Sequence, residues 1–354
     1  LASRLYLDHA ATTPLIPPAR DVMARGFALW ANPSSPHAEG RAARAALEEA
    51  RAAIAAAHGW PGDLLLTSGA SESLAIALNR TTATRRLITA VEHDAVMRAG
   101  AAAAVVPVGR DGIVDMAALD AMLAGEGRAL LCVQWANSET GVRQPIADIA
   151  ARVHAAGGWL LVDAAQMPAR VELADHADLV AVSAHKRGGP PGVGALLVRD
   201  LAMLHPSGGQ ERGYRPGTEN LPGVLGYAAA LAEEEPDHAP LRARLDDAIR
   251  RSGGEVVADA SPRHPAIGAY RLPGVASAVQ LIRLDAAGFA VSAGSACSSG
   301  SMKPSHVLAA MGWDEAAARE VIRVSFGRTT TADDVDAFIA AWRAMAKATR
   351  RFAA

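Results

Sequence analysis

Several short stretches of this 354-residue chain carry side chains able to do chemistry. One is Asp178-Leu-Val-Ala-Val-Ser-Ala-His-Lys186, an apolar run ending in polar residues and followed by Gly188-Gly-Pro-Pro-Gly192. A lysine placed there stands at a sheet edge, where most lysines are solvated charges and a few form Schiff bases with carbonyl compounds. Asp163 closes Trp159-Leu-Leu-Val-Asp, with Gln166 a few residues on. A carboxylate in that place either caps a helix or pairs with a protonated ring nitrogen. Ser68-Gly-Ala-Ser71 follows an apolar run and opens a helical stretch. It reads as an ordinary βα turn or as N–H groups and hydroxyls set to cradle a phosphate. His93, beside Glu92, is a satisfied polar residue or a stacking partner for an aromatic ring. The two cysteines differ: Cys132, in Ala129-Leu-Leu-Cys-Val-Gln-Trp135, reads as a small hydrophobe in a buried strand. Cys297, in Ser292-Ala-Gly-Ser-Ala-Cys-Ser-Ser-Gly-Ser301, lies among small residues that suit an exposed, mobile loop.

The elements that must position these groups follow from the apolar patterning. Between about residues 37 and 200, helical stretches alternate with short apolar runs, at 64–67, 87–90, 130–135, 160–163, 179–183 and 194–198. Continuous apolar strands separated by helices predict a largely parallel sheet covered on both faces. In such a sheet, functional residues gather at strand ends. Ser68–Ser71, His93, Asn137, Asp163, Gln166 and Ser183–Lys186 all fall there. Past about residue 240 the pattern changes to a helix, strands around Val256 and Ala269, another helix and a long helix from about Ala332. Thr330 and Thr331, each followed by an aspartate at the third place on, predict the cap of that last helix. The length exceeds what one core usually supports. We therefore expect a large domain over 14–240 and a smaller α+β one made of 1–13 and 241–354.

Composition narrows the partners. A formal charge of −2 provides no overall field for nucleic acid or an anionic membrane. Two cysteines exclude a disulfide framework and a multi-cysteine metal site built from this chain alone, and no metal site is expected. No apolar run approaches a membrane span and no signal-peptide pattern is present, so a cytoplasmic setting is expected.

Singly, each chemical stretch favours its ordinary reading. Together they supply a Schiff-base lysine, a ring-nitrogen partner, a phosphate cradle and a stacking group, the parts of a pyridoxal 5′-phosphate (PLP) site in the order found in fold-type I enzymes. With these residues on the page, the chain resembles the cysteine desulfurases of the NifS/IscS type, in the class V aminotransferase group. The resemblance runs through Tyr6-Leu-Asp-His-Ala-Ala-Thr-Thr-Pro14, Asn32-Pro-Ser-Ser, Ser68-Gly-Ala-Ser-Glu72, Glu92-His and Asn137-Ser-Glu-Thr-Gly141. It continues through Asp163-Ala-Ala-Gln166, Ser183-Ala-His-Lys186, Gly208–Asn220, the Cys297 stretch and Ile322-Arg-Val-Ser-Phe-Gly-Arg328, and so covers nearly the whole chain.

That resemblance implies a fold-type I PLP-dependent transferase with a mainly parallel seven-stranded sheet. Lys186 would bind the cofactor covalently, Asp163 would pair with its ring nitrogen, Gln166 would reach the ring oxygen and His93 would stack on the ring. Ala70, Ser71, Ser183 and His185 would hold the phosphate. Thr218 would reach the phosphate of a neighbouring subunit, which implies a homodimer. Asn137 and Arg323 would hold L-cysteine, Arg323 by its carboxylate, and Lys186, Cys297 and His93 would be catalytic. The activity implied is removal of sulfur from L-cysteine, giving L-alanine and a persulfide on Cys297 for an acceptor or iron–sulfur scaffold protein. A lyase for selenocysteine or cysteine sulfinate, a class V aminotransferase, or a non-catalytic sulfur-assembly scaffold are the other readings. The sequence departs from the family pattern at Ala184, Gly188, Pro191 and Trp135. Trp135 stands where a histidine near the cofactor is common, so altered substrate handling is expected there.

Overall fold

The computed structural model describes residues 4–169, 171–294 and 304–353. Its strands are β1 (Leu5–Tyr6), β2 (Asp63–Thr67), β3 (Arg85–Thr89), β4 (Ala104–Val106), β5 (Ala129–Gln134) and β6 (Trp159–Asp163). They continue with β7 (Leu179–Ser183), β8 (Gly194–Val198), β9 (Glu255–Val256), β10 (Ile267–Arg271), β11 (Phe289–Ala290) and β12 (Val321–Ser325). Seven of them form one sheet in the order β2-β8-β7-β6-β5-β3-β4. β3 to β7 pair in parallel, whereas β8 runs antiparallel to both β7 and β2. The reason lies in the link from Ser183 to Gly194, which is too short for the helical crossover that a parallel return needs. Every residue of β5, β7 and β8 is buried. That burial fits strands covered by helices on both faces.

β4 escaped the apolar reading because it is a three-residue edge strand with two exposed positions. Cys132 sits mid-β5, fully buried, and burial pushes its thiol pKa up. Both features suit a packing residue.

A second sheet, in the order β12-β10-β9, packs its own core, with Leu245, Tyr270, Ile322, Phe338 and Trp342 inside. The helix Ala332–Ala353 covers it. Thr331 and Asp334 bond reciprocally at that helix's start, Asp334 N–H to Thr331 Oγ1 at 3.2 Å and Thr331 N–H to Asp334 Oδ2 at 2.8 Å. Leu7 joins the same core, and β1 pairs in parallel with β11. From there the first residues cross to the large sheet. Ser325 N–H donates to Leu7 O, Ala10 N–H to Ser325 Oγ, and Thr13 N–H to His185 O, all between 2.8 and 2.9 Å. Residues 7–13 are therefore a strap joining β12 to the end of β7. Among the described residues no helix is long and apolar enough to cross a membrane.

Candidate active site

The strand ends of the large sheet meet in a cavity of about 350 Å³. One wall is Ser68–Glu72, where β2 turns into the helix Ala70–Arg80. Gly69 makes that turn at φ +145°, a conformation that disfavours any side chain, and a Cβ there would lie 3.9 Å from Ser183 Oγ. Gly194 closes in from behind: a Cβ on it would meet Gly69 Cα at 2.6 Å. The turn thus rests on backbone, and the eleven-residue helix that it opens begins at the cavity wall with the backbone of Ala70 and Ser71. Ser183 and His185 line the facing side. His185 Nδ1 lies 3.1 Å from Thr12 Oγ1, and burial lowers its pKa to about 4, so the ring is neutral.

Asp163 reaches the cavity from the end of β6, fully buried. Burial raises its pKa; the Ala165 N–H, 3.0 Å from Oδ1, and the charges of His93 and Lys186 oppose that rise. A carboxylate held in this place calls for a cationic partner. His93 lines the same cavity and caps the helix Asp94–Ala99, its Nδ1 accepting the Ala95 N–H at 3.1 Å. Lys186 ends the short turn after β7, and its Nζ donates to Ala10 O at 2.5 Å and Ala11 O at 2.8 Å. Gln166 Nε2 donates to Ala10 O at 3.0 Å, so lysine and glutamine are both tied to the strap. An N–H cradle, an aromatic neighbour, an amine and a buried carboxylate match phosphate, ring, aldehyde and ring nitrogen. The residues fit PLP.

A smaller cavity, about 120 Å³, adjoins this one and shares Lys186 and His93 with it. Arg323 enters it from the middle of β12. Its guanidinium donates to Asp8 Oδ1 at 2.7 Å and Ser138 O at 2.9 Å, while its buried Nε finds no partner among the described residues. Asn137 also lines this cavity, yet its side chain is largely engaged in its own turn. Its Oδ1 accepts from Glu139 N–H, Thr140 N–H and Thr140 Oγ1, and its Nδ2 donates to Val91 O at 3.1 Å. One amide N–H is left to offer.

The remaining expectations divide. Thr218 is exposed and lines neither cavity of this chain. Trp135 is buried under Arg143 and packs in the main core, with neither cavity at its side chain. The expected influence of Trp135 on substrate handling is therefore corrected: its neighbours Gln134 and Ala136 face the cavity, and alternation along an extended chain turns Trp135 away. Cys297 lies outside the described residues.

Three contacts were not legible in the sequence. Asp8 pairs with Arg323 across the whole chain length. Glu211 accepts a two-pronged bond from Arg51, at 2.5 and 2.8 Å, and also takes the Leu66 N–H at 2.8 Å. Arg215 Nε reaches Glu72 Oε1 at 2.9 Å, while Glu72 Oε2 holds the Ser68 N–H at 2.5 Å. The last two pin the segment 211–215 to β2 and to the Ser68–Glu72 turn that follows it. Positive φ at Glu211 and Arg212, +48° and +56°, hints at such a constraint only once the backbone is known.

Residues 5–338 match the class-V aminotransferase family, to which the chain belongs. Within that family it is similar to the IscS-like cysteine desulfurase of Mycobacterium tuberculosis, 37% identical over 94% of this chain and 93% of that one. The Homo sapiens cysteine desulfurase is 36% identical over 94% of this chain and 79% of its own length. Among solved structures, a NifS-like protein from Rickettsia africae superposes with a TM-score of 0.87 at 28% identity, covering 97% of this chain and 99% of that one. The fold is that of the fold-type I PLP enzymes, and the family's dependence on PLP extends to this chain.

Proposed function

We propose that the chain is a cysteine desulfurase that converts L-cysteine to L-alanine and leaves the sulfur as a persulfide on Cys297. One observation carries the reading: Lys186 lines both a cavity built for PLP and a neighbouring small cavity that ends on a buried arginine. That second space suits a small amino acid held by its carboxylate. When bound, PLP supplies an electron sink for bond breaking next to the α-carbon.

The residues divide the rest of the work. Ala70, Ser71, Ser183 and His185 would hold the phosphate, Asp163 the ring nitrogen and Gln166 the ring oxygen, and His93 would stack on the ring. Arg323 grips the substrate carboxylate through its planar fork, helped by the remaining Asn137 N–H. Lys186 would hold the cofactor's aldehyde carbon, and its amine would take the α-proton of the substrate. Cys297 attacks the substrate sulfur as a thiolate, the reactive form of the group. The exposure of Thr218 supports its reaching a neighbouring subunit's phosphate in a homodimer. The division into 14–240 and 1–13 with 241–354, a cytoplasmic setting, and delivery to a protein acceptor for iron–sulfur assembly or tRNA thiolation belong to the same proposal.

The test uses Cys297→Ala in the loaded enzyme. The yellow cofactor absorbance should persist while sulfide release from L-cysteine with a reductant disappears. Undiminished release would overturn the persulfide route.

A further inference from the structure

In the proposed function the smaller cavity receives the substrate's carboxylate at Arg323 and its amine beside Lys186. The side chain is left with the other walls, among them Val91, Glu92, Glu139, His306 and Val307. Arg323 already faces Asp8 at 2.7 Å, so one negative charge offsets its own before a substrate carboxylate arrives. His306 Nε2 lies 2.8 Å from the backbone oxygen of Glu92, and because a carbonyl only accepts, that nitrogen's hydrogen is spent there. Asp94, also on the wall, pairs with Arg98 one turn on. Little on these walls would welcome a second negative charge.

The two glutamates on the wall are held differently. Glu92 Oε1 is taken by Thr89 Oγ1 and the Gln134 N–H, and its Oε2 is enclosed. Glu139 is 9% exposed, and among the described residues no cation lies within ion-pair reach of its carboxyl. Its backbone is fixed in the Asn137 turn, the N–H donating to Asn137 Oδ1 at 2.9 Å. Its Oε2 accepts the Ser305 hydroxyl at 2.6 Å. Oε1 makes no hydrogen bond among the described residues and is not enclosed as Glu92 Oε2 is. One oxygen of this carboxyl is therefore anchored, and the other is left to whatever occupies the cavity. Such an oxygen accepts hydrogen bonds and, when ionised, repels anions, more strongly in a site that excludes water.

We propose that Glu139 sets which side chain the substrate may carry, an inference that rests on reading this cavity as the substrate site. A neutral thiol or selenol has a hydrogen to give to Oε1. A sulfinate or a second carboxylate brings only oxygens and a negative charge, and is rejected by like-charge repulsion. The substrate class is thus a small amino acid whose one anionic group is its α-carboxylate.

The test compares L-cysteine sulfinate with L-alanine, each read as the concentration that half-shifts the visible absorbance of the PLP-loaded enzyme. Glu139→Gln keeps the side-chain length and an oxygen for the Ser305 hydroxyl but removes the charge, whereas Glu139→Asp keeps the charge. The alanine value of each protein is its own reference. In the parent, the sulfinate should bind at least about tenfold more weakly than alanine; Gln should narrow that gap by about 10- to 10²-fold, and Asp should preserve it. A parent that binds both alike would overturn the inference without any variant. So would a gap that Gln leaves unchanged, or one that Asp closes as far as Gln does, since shape rather than charge would then select. Sulfide release from L-cysteine is followed on the same parent enzyme. Its absence would overturn the desulfurase reading, while the binding gap would still decide the role of Glu139.

Discussion

The two adjoining cavities are built in opposite ways. The larger is made chiefly by the strand ends of one sheet, whose residues follow one another in chain order from Ser68 through His93 and Asp163 to Lys186. The smaller needs Ala10 and Ala11 from the strap, Asn137 and Glu139 from a turn after β5, His306, and Arg323 from β12 of the other sheet. One sheet can preform a cofactor site. A site for a substrate that must enter and leave is divided between two sheets and closed by the strap. Lys186 belongs to both cavities, so Lys186→Ala is the change that should abolish both functions. We expect sulfide release to be lost and, with it, the visible absorbance that borohydride bleaches. A bleachable band in that variant would mean that another amine holds the cofactor.

The difference also decides what a sequence reader can see. The large cavity was legible because an apolar strand followed by polar residues recurs along the parallel sheet, and each recurrence marks one wall. The phosphate-side turn, Asp163 and Lys186 are found this way. Local patterning says nothing of Asp8 meeting Arg323, since the two lie at opposite ends of the chain and join only through pairing around β12. Arg323 itself came from family resemblance, as a basic residue within an apolar strand has no periodic signature. Trp135 misled for a related reason: family position gives the strand end, whereas the direction of a side chain depends on register. Arg323→Lys would sharpen the comparison, because it keeps a cation beside Asp8 and removes the planar fork. We expect kcat/KM for L-cysteine to fall about 10²-fold, chiefly through KM, with cofactor absorbance unchanged. A parallel loss of absorbance would show that the cavities are not separable.

Glu92, which lines the smaller cavity, tests whether that site is tuned for function at a cost to stability. Its carboxyl is completely buried, accepts from Thr89 Oγ1 at 2.5 Å and Gln134 N–H at 2.9 Å, and leaves Oε2 without a partner among the described residues. Burial, and more weakly the charge of Asp163, raise its pKa to about 8 against its two hydrogen bonds. Below the ordinary carboxylate range the group is protonated in both folded and unfolded chains and costs nothing. As the pH climbs toward 8, only the unfolded chain releases the proton, so stability falls; above 8 the deficit stays constant. Glu92→Gln removes this titration while its amide oxygen can keep both accepted bonds. The parent should therefore lose about 3–5 kcal/mol between about pH 5 and about pH 8 relative to the variant, as read by denaturant unfolding at each pH. Curves that fall in parallel would mean that Glu92 is ionised in the folded chain. The neutral acid would then not be what lets Asp163, on the far side of β5, carry the charge in the larger cavity.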